Sequence, residues 1–233
     1  MTMCAVAATD AITSRIDYHY VNDVNHLEAV LRLGGCADRS AACARVLLDE
    51  AGSLGAALAF SEARLTRLGV AGGVARNLAV LRSAQVAALR RDLQERPWIQ
   101  GLDALLDYLH ATMAHLSYEA FRVVFLDNRR RLIRDEVVHR GTLNSCSAHP
   151  REIFFRAIEL AARYLVLVHN HPTGALEPSR EDLAITNRLV AAGDAMDVGI
   201  DDHVIICRSG YFSFREAGLL RRFPSGLEPL PPK

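Results

Sequence analysis

The sequence lacks the features that mark secreted, membrane-bound or thiolate-rich proteins. Its five cysteines are widely spaced and form no Cys-x-x-Cys pair, which argues against a disulfide framework and a thiolate zinc site. No apolar run approaches the length of a membrane span, and Met1 to Arg15 contains Asp10 and has no basic start. The formal net charge is zero, which removes any global attraction to nucleic acid or anionic membranes. We therefore expect a cytoplasmic protein.

Apolar spacing divides the chain into two parts. From about Val21 to Ala114 it is rich in Ala, Leu and Arg, has helical spacing and breaks at glycines, which predicts a bundle of short helices. Beyond that point, strand and helix patterns alternate. We predict strands over Phe121–Asp127, Leu132–Arg140, Tyr164–Val168 and Ile200–Cys207, and helices from Pro150 and over about Arg180–Ala192.

These patterns predict a mixed α/β domain with a central sheet and flanking helices, preceded by a small all-helical domain. The helical domain is placed at residues 21–100 and the α/β domain at residues 101–222. A flexible N-terminus (1–20) and a loose, proline-rich tail (223–233) complete the organisation.

His169 and His171 stand at the carboxyl end of a predicted buried strand. Because residues two apart on a strand face the same side, both imidazoles can reach one cation such as zinc. The pair alone is weak, since nine scattered histidines produce about 0.3 His-x-His pairs by chance. Ser179 and Asp182 follow at the start of the next predicted helix, and that helix can return a carboxylate to the strand end.

Ser179-x-x-Asp182 is also a typical helix start, with Ser at the N-cap and an acidic first turn. This interpretation does not exclude a metal role. Asp182 shares a helical stripe with Ile185 and Leu189, which should face the sheet, and a buried carboxylate must be paired or bound to a metal. Two histidines and one aspartate leave a fourth position open, as in catalytic zinc sites.

The run His-Asn-His-Pro-Thr-Gly-Ala-Leu-Glu-Pro-Ser-Arg-Glu-Asp, from His169 to Asp182, resembles the JAMM (MPN-plus) metalloprotease motif, His-x-His-x7-Ser-x2-Asp. It resembles the RadC family more narrowly, through His-Asn-His-Pro and Pro-Ser, and the likeness extends from about Tyr118 to Leu220. The resemblance implies a JAMM/MPN-like, cytidine-deaminase-like architecture and a zinc hydrolase acting on peptide or isopeptide-like substrates. It implies His169, His171 and Asp182 as Zn²⁺ ligands, Ser179 beside the bound water and an upstream glutamate as general base.

Three glutamates precede the motif: Glu119, Glu136 and Glu152. Glu119 matches the place of the JAMM base at the start of the first hairpin strand, so we predict that it is the general base. Glu136, in the middle of the second strand, is the alternative, and we interpret Glu152 as a helix-start residue. The base would take a proton from water and deliver it to the leaving amine, while Ser179 would donate to the developing oxyanion.

His203 lies in an apolar strand, where we expect a hydrogen-bonded core histidine, and we expect Asp202 to orient a ligand imidazole. RadC-like proteins often carry a helix-hairpin-helix segment, and the run from Leu68 to Ala75 resembles a degenerate copy. Six arginines against one glutamate surround it in Ser61–Arg91. The alternative function is therefore a DNA-associated binding protein whose metal site is structural or regulatory.

Overall fold

The computed structural model of the chain describes residues 21–95, 102–141 and 149–220. The predicted flexible N-terminus, the predicted boundary near residue 100 and the predicted loose tail lie outside those residues. The chain divides into two compact units, Met1–Gln85 and Val86–Lys233. Among the described helices, none is both long and apolar enough to span a bilayer.

The first unit is helical over the residues that the structure describes. Residues 21–33 form α1, and a 3₁₀ helix at Ala37–Arg39 leads into α2 (Ser40–Ala51), α3 (Leu54–Leu58), α4 (Glu62–Arg67) and α5 (Gly72–Glu95). Its core is a leucine-rich set of side chains at helical spacing that are at most 2% exposed: Leu27, Leu31, Leu47, Leu65 and Leu78. The prediction of short helices is wrong for α5, which runs for 24 residues. Gly72 and Gly73, which were expected to belong to a break, form its first turn.

The second unit contains a five-stranded mixed sheet with the order β2-β1-β3-β4-β5. The strands are β1 (Ala120–Leu126), β2 (Leu132–Arg140), β3 (Tyr164–Asn170), β4 (Gly199–Cys207) and β5 (Gly210–Ser213). β1 pairs antiparallel with both β2 and β3, β3 pairs parallel with β4, and β4 pairs antiparallel with β5. The parallel pair requires a crossover, which α8 (Arg180–Met196) supplies.

Helices cover both faces of this sheet. On one face, α7 (Pro150–Glu159) and α8 pack against an aromatic core that includes Phe121, Phe125, Phe154, Leu189 and Phe214. On the other face, α6 (Leu102–Met113) and the end of α5 pack against Val124, Val166, Val204 and Ile206. The predicted mixed α/β fold with flanking helices, preceded by a helical region, is confirmed.

Apart from shifts of one residue in β1 and β4, the elements differ from the sequence predictions at β3, α8 and β5. β3 continues two residues past its predicted end, to Asn170, because the backbone stays extended after the apolar run stops. Helix α8 extends to Met196, and β5 was not predicted at all. The continuation of β3 matters most, since it places His169 inside the sheet.

Candidate metal centre

His169 and His171 lie where β3 ends and β1 begins. His169 pairs with Phe121 of β1 on one side and with Ile205 of β4 on the other, and it is fully buried. His171 follows the strand, and its backbone N–H donates to Ile206 O at 3.1 Å. The alternation of the strand turns both imidazoles to the same side, as the two-residue spacing predicts.

Helix α8 brings Asp182 to the two imidazoles. Ser179 is its N-cap, and Ser179 and Asp182 form a capping box in which each side chain accepts from the other's backbone N–H. Asp182 is 2% exposed, and Ile185 and Leu189 of the same stripe are also buried, while Arg180 and Glu181 face solvent. The predicted helix start and the predicted inward stripe are both confirmed.

The three side chains converge on one point. His169 Nε2 lies 2.8 Å from His171 Nε2 and 3.1 Å from Asp182 Oδ1, and His171 Nε2 lies 3.5 Å from Asp182 Oδ2. Two ligand atoms around a tetrahedral zinc, with bonds of about 2.0–2.2 Å, stand roughly 3.3 Å apart. The donor set and its spacing therefore fit a metal ion, and His169, His171 and Asp182 could hold one.

The orientation of His171 is set by a backbone carbonyl. Its Nδ1 lies 2.7 Å from Ala175 O. Because a carbonyl oxygen can only accept, Nδ1 carries the proton and donates it. In the neutral ring this leaves the lone pair on Nε2, the atom that faces His169 and Asp182. A metal-ligating histidine commonly has such a partner on its other nitrogen.

The orientation of His169 is set by a chain of hydrogen bonds that ends on α8. Thr186 Oγ1 donates to Asp182 O at 2.5 Å and lies 2.6 Å from His203 Nδ1, which therefore donates to it. His203 Nε2 is then an acceptor, and His169 Nδ1, 2.9 Å away, donates to it. The chain leaves the lone pair of neutral His169 on Nε2, where a metal needs it.

Electrostatics in the cluster favour an ionised Asp182. Burial alone would raise the pKa of Asp182, but its close contacts with His169, His171 and Ser179 hold it far below its usual value. Hydrogen bonding to Asp182 raises the pKa of His171, and the charge of Glu119 adds to that effect. Burial lowers the pKa of His203 well below its usual value, so its ring is neutral, as the hydrogen-bond chain requires.

The two candidate bases stand in different surroundings. Glu119 is half-buried directly before β1, its carbonyl accepts from Gly141 N at 2.7 Å, and its charge acts on His171. Glu136 lies on β2, opposite Val123 and two strands from His169. Arg156 holds the Glu136 carboxylate through contacts of 2.7–3.1 Å, which lower its pKa.

Ser179 uses its hydroxyl within the capping box. Its Oγ donates to Asp182 Oδ2 at 2.6 Å and accepts from Asp182 N at 3.1 Å. A serine hydroxyl has one proton, so donation to an oxyanion competes with the bond to Asp182. The predicted oxyanion role of Ser179 stays a prediction.

The interpretation of Asp202 as a partner of a ligand imidazole is wrong. Asp202 accepts from Ser213 Oγ at 2.6 Å, from His203 N at 2.7 Å and from Arg215 N at 3.0 Å, and so it holds the segment after β5. His203 is a fully buried, hydrogen-bonded histidine, as expected. The sequence does not predict that His203 orients His169, because the two rings meet only when β3 and β4 lie side by side.

A mixed sheet with a His-His-Asp group at the end of a central strand is the arrangement of a JAB-type (JAMM) domain, a class related to metallohydrolases. The family of the RadC-like JAB domain matches residues 99–219. The chain belongs to the RadC family.

Named relatives extend the match over most of the chain. A UPF0758 protein of Rhodobacter capsulatus is 43% identical over 178 residues, which is 76% of this chain and 83% of that protein. A UPF0758 protein of Ruegeria pomeroyi is 42% identical over 178 residues, 76% of this chain and 80% of that protein. One from Methylibium petroleiphilum is 38% identical over 206 residues, 85% of this chain and 90% of that protein.

Proposed function

We propose that this protein is a zinc-dependent metallohydrolase that cleaves peptide or isopeptide-type amides. The observation that carries the proposal is the convergence of the Nε2 atoms of His169 and His171 with the carboxylate of Asp182. Both imidazoles are held by partners on their other nitrogens, so the site is organised before any ligand arrives. Three protein ligands are the number found in catalytic zinc sites, whereas structural sites normally have four.

The chemistry divides between the metal and two side chains. His169, His171 and Asp182 would hold the zinc ion, which when bound would supply Lewis-acid chemistry that polarises a carbonyl and lowers the pKa of water toward about 7. Glu119 accepts the proton of the attacking water and returns it to the leaving amine. The Ser179 hydroxyl breaks its hydrogen bond to Asp182 and donates to the developing oxyanion instead.

The test compares the two candidate bases. The probes are a fluorogenic peptide amide and an Nε-linked lysine isopeptide, each incubated with the zinc-loaded protein. Glu119→Gln removes the base with little change in shape, so kcat should fall by about 100- to 10,000-fold while zinc stays bound. Glu136→Gln should leave kcat within a fewfold of the wild type, because that carboxylate is paired with Arg156. Equal losses in the two variants would rule out the assignment of Glu119.

A second candidate function, DNA binding, rests on the hairpin between α4 and α5. Gly69 has a backbone φ of +88°, which permits the tight turn. Gly72 and Gly73 are exposed at the start of α5. Arg67 and Arg76 are exposed on either side of it. Backbone N–H groups and arginines so placed can contact phosphates without reading sequence.

Three of the six arginines near the hairpin are engaged within the protein. Arg64 pairs with Glu50 at 2.9 Å, Arg82 donates to Ala59 O at 2.9 Å and Arg90 pairs with Asp135 at 3.2 Å. Charge reversal at Arg67 and Arg76 should therefore abolish salt-sensitive retention on duplex DNA. The matched control reverses Arg39 and Arg45, which are exposed in the same unit. Equal retention by both double variants would argue against the hairpin as the contact.

A further inference from the structure

We propose that Asn170, the residue between the two histidines, is the positioning residue of Glu119. The inference rests on the proposed hydrolase function. Because side chains alternate along β3, Asn170 faces away from His169 and His171 and toward the other side of the sheet. It is 1% exposed, and a buried amide of this kind must be hydrogen-bonded.

The amide of Asn170 holds the two peptide groups that flank Glu119. Ala120 N donates to Asn170 Oδ1 at 2.9 Å, and Asn170 Nδ2 donates to Tyr118 O at 3.0 Å. The backbone groups define the amide orientation, since the N–H can only donate and the carbonyl can only accept. One side chain thus fixes the backbone immediately before and after the proposed base.

The backbone pairing between β1 and β3 does not reach the peptide groups on either side of Glu119. The register between β1 and β3 ends at the pair Phe121 and His169, one residue short of Ala120. From the other side, Gly141 N donates to Glu119 O at 2.7 Å. The segment that carries Glu119 is therefore held to the histidine strand through the Asn170 side chain.

The consequence is a direct link between base and ligands. Asn170 is bonded along the chain to His169 and His171, so any shift of its amide moves Glu119 relative to both imidazoles. Aspartate has the right size but no N–H donor, and leucine can make neither contact. Asn170→Leu should leave the metal ligands in place and release Glu119.

The deciding experiment is a set of crystal structures of the full chain, carrying Asn170→Leu or the control Val168→Ala. Val168 is fully buried two residues earlier, so it faces the same side of β3, and its truncation disturbs packing without touching the amide. Asn170→Leu should move the Glu119 carboxylate away from His171 Nε2 by several times the shift in the control. A Glu119 that stays in place in Asn170→Leu would overturn the proposal.

A second readout tests the link to catalysis with the peptide amide probe. Asn170→Leu should lower kcat at least tenfold, with KM and zinc affinity within about threefold of the wild type. In a Glu119→Gln background, the same change should lower kcat no further, because the residue acts through Glu119. A full additional loss in that background, or a tenfold weaker zinc affinity, would contradict a positioning role.

The two hypotheses fail in distinguishable ways. A wild-type protein that binds zinc but hydrolyses no probe contradicts the proposed function, while the crystal comparison still decides whether Asn170 positions Glu119. If Asn170→Leu does not fold, Asn170→Asp takes its place. It keeps the acceptor for Ala120 N but removes the donor to Tyr118 O, and Glu119 should again be displaced.

Discussion

At the scale of single residues, the spacing of the metal ligands could be predicted because it depends on local geometry. His169 lies in β3 and His171 directly follows it, while Asp182 shares a capping box with Ser179, so local periodicity relates each ligand to its neighbour in sequence. The partners of those ligands could not be predicted. His203 and Thr186 reach the site only because β4 lies beside β3 and α8 packs over both.

His203 should determine metal affinity although it is not a ligand. In His203→Leu, His169 Nδ1 loses its acceptor and the ring is free to change tautomer and rotate. Zinc affinity, measured by competition with a chelator, should fall by about 10- to 100-fold. The control is Phe214→Leu, which disturbs the ring stacked on His203 at 4.6 Å without touching its nitrogens. An affinity loss of the same size in the control would show that packing, and not the hydrogen bond, is responsible.

At the scale of elements, the long and strongly patterned segments were predictable and the short one was not. β2 and the start of α7 match their predicted positions because the polar turn at residues 128–131 marks the first and Pro150 the second. β5 has only four residues and depends on backbone pairing with β4, so too few positions exist for a period to show. The end of β3 could not be predicted either, because the apolar run stops at Val168 while the backbone stays extended through His169 and Asn170.

One glycine of α8 should control how closely that helix packs against α7 and the residue that precedes β4. A Cβ added at Gly193 would overlap Val198 O and crowd the ring of Phe154. Gly193→Ala should therefore lower the free energy of unfolding by about 1–3 kcal/mol, although alanine is intrinsically the better helix former by about 1 kcal/mol.

The matched control is Ala191→Gly on the exposed face of the same helix. It should lose about 1 kcal/mol through helix propensity alone. Denaturant unfolding measures both variants. A stabilised Gly193→Ala protein would mean that the helix shifts easily, and that Asp182 is not rigidly placed by α8.

At the scale of the whole molecule, alkaline pH should weaken the connection between α6 and the sheet. Tyr108 OH donates to Asp135 Oδ2 at 2.7 Å, and Arg122 contacts both groups. Burial, together with Asp135, raises the pKa of Tyr108 to about 12, against about 10 in an unfolded chain. This stabilisation is fully present below pH 10 and is lost as the pH rises through about 12.

The difference between these pKa values corresponds to about 3 kcal/mol. Denaturant unfolding between pH 9 and pH 12 should therefore show a steeper loss of stability in the wild type than in Tyr108→Phe. Parallel curves for the two proteins would contradict the role of Tyr108.

The molecule combines a RadC-like JAB domain, whose family is established, with a helical unit whose function is a proposal. The most direct measurement is zinc titration into the metal-free full chain, read by chelator competition and by elemental analysis after gel filtration. We expect one zinc per chain in the wild type and none retained in His171→Ala. A wild type that retains no zinc, or a His171→Ala variant that retains it fully, would contradict the central claim.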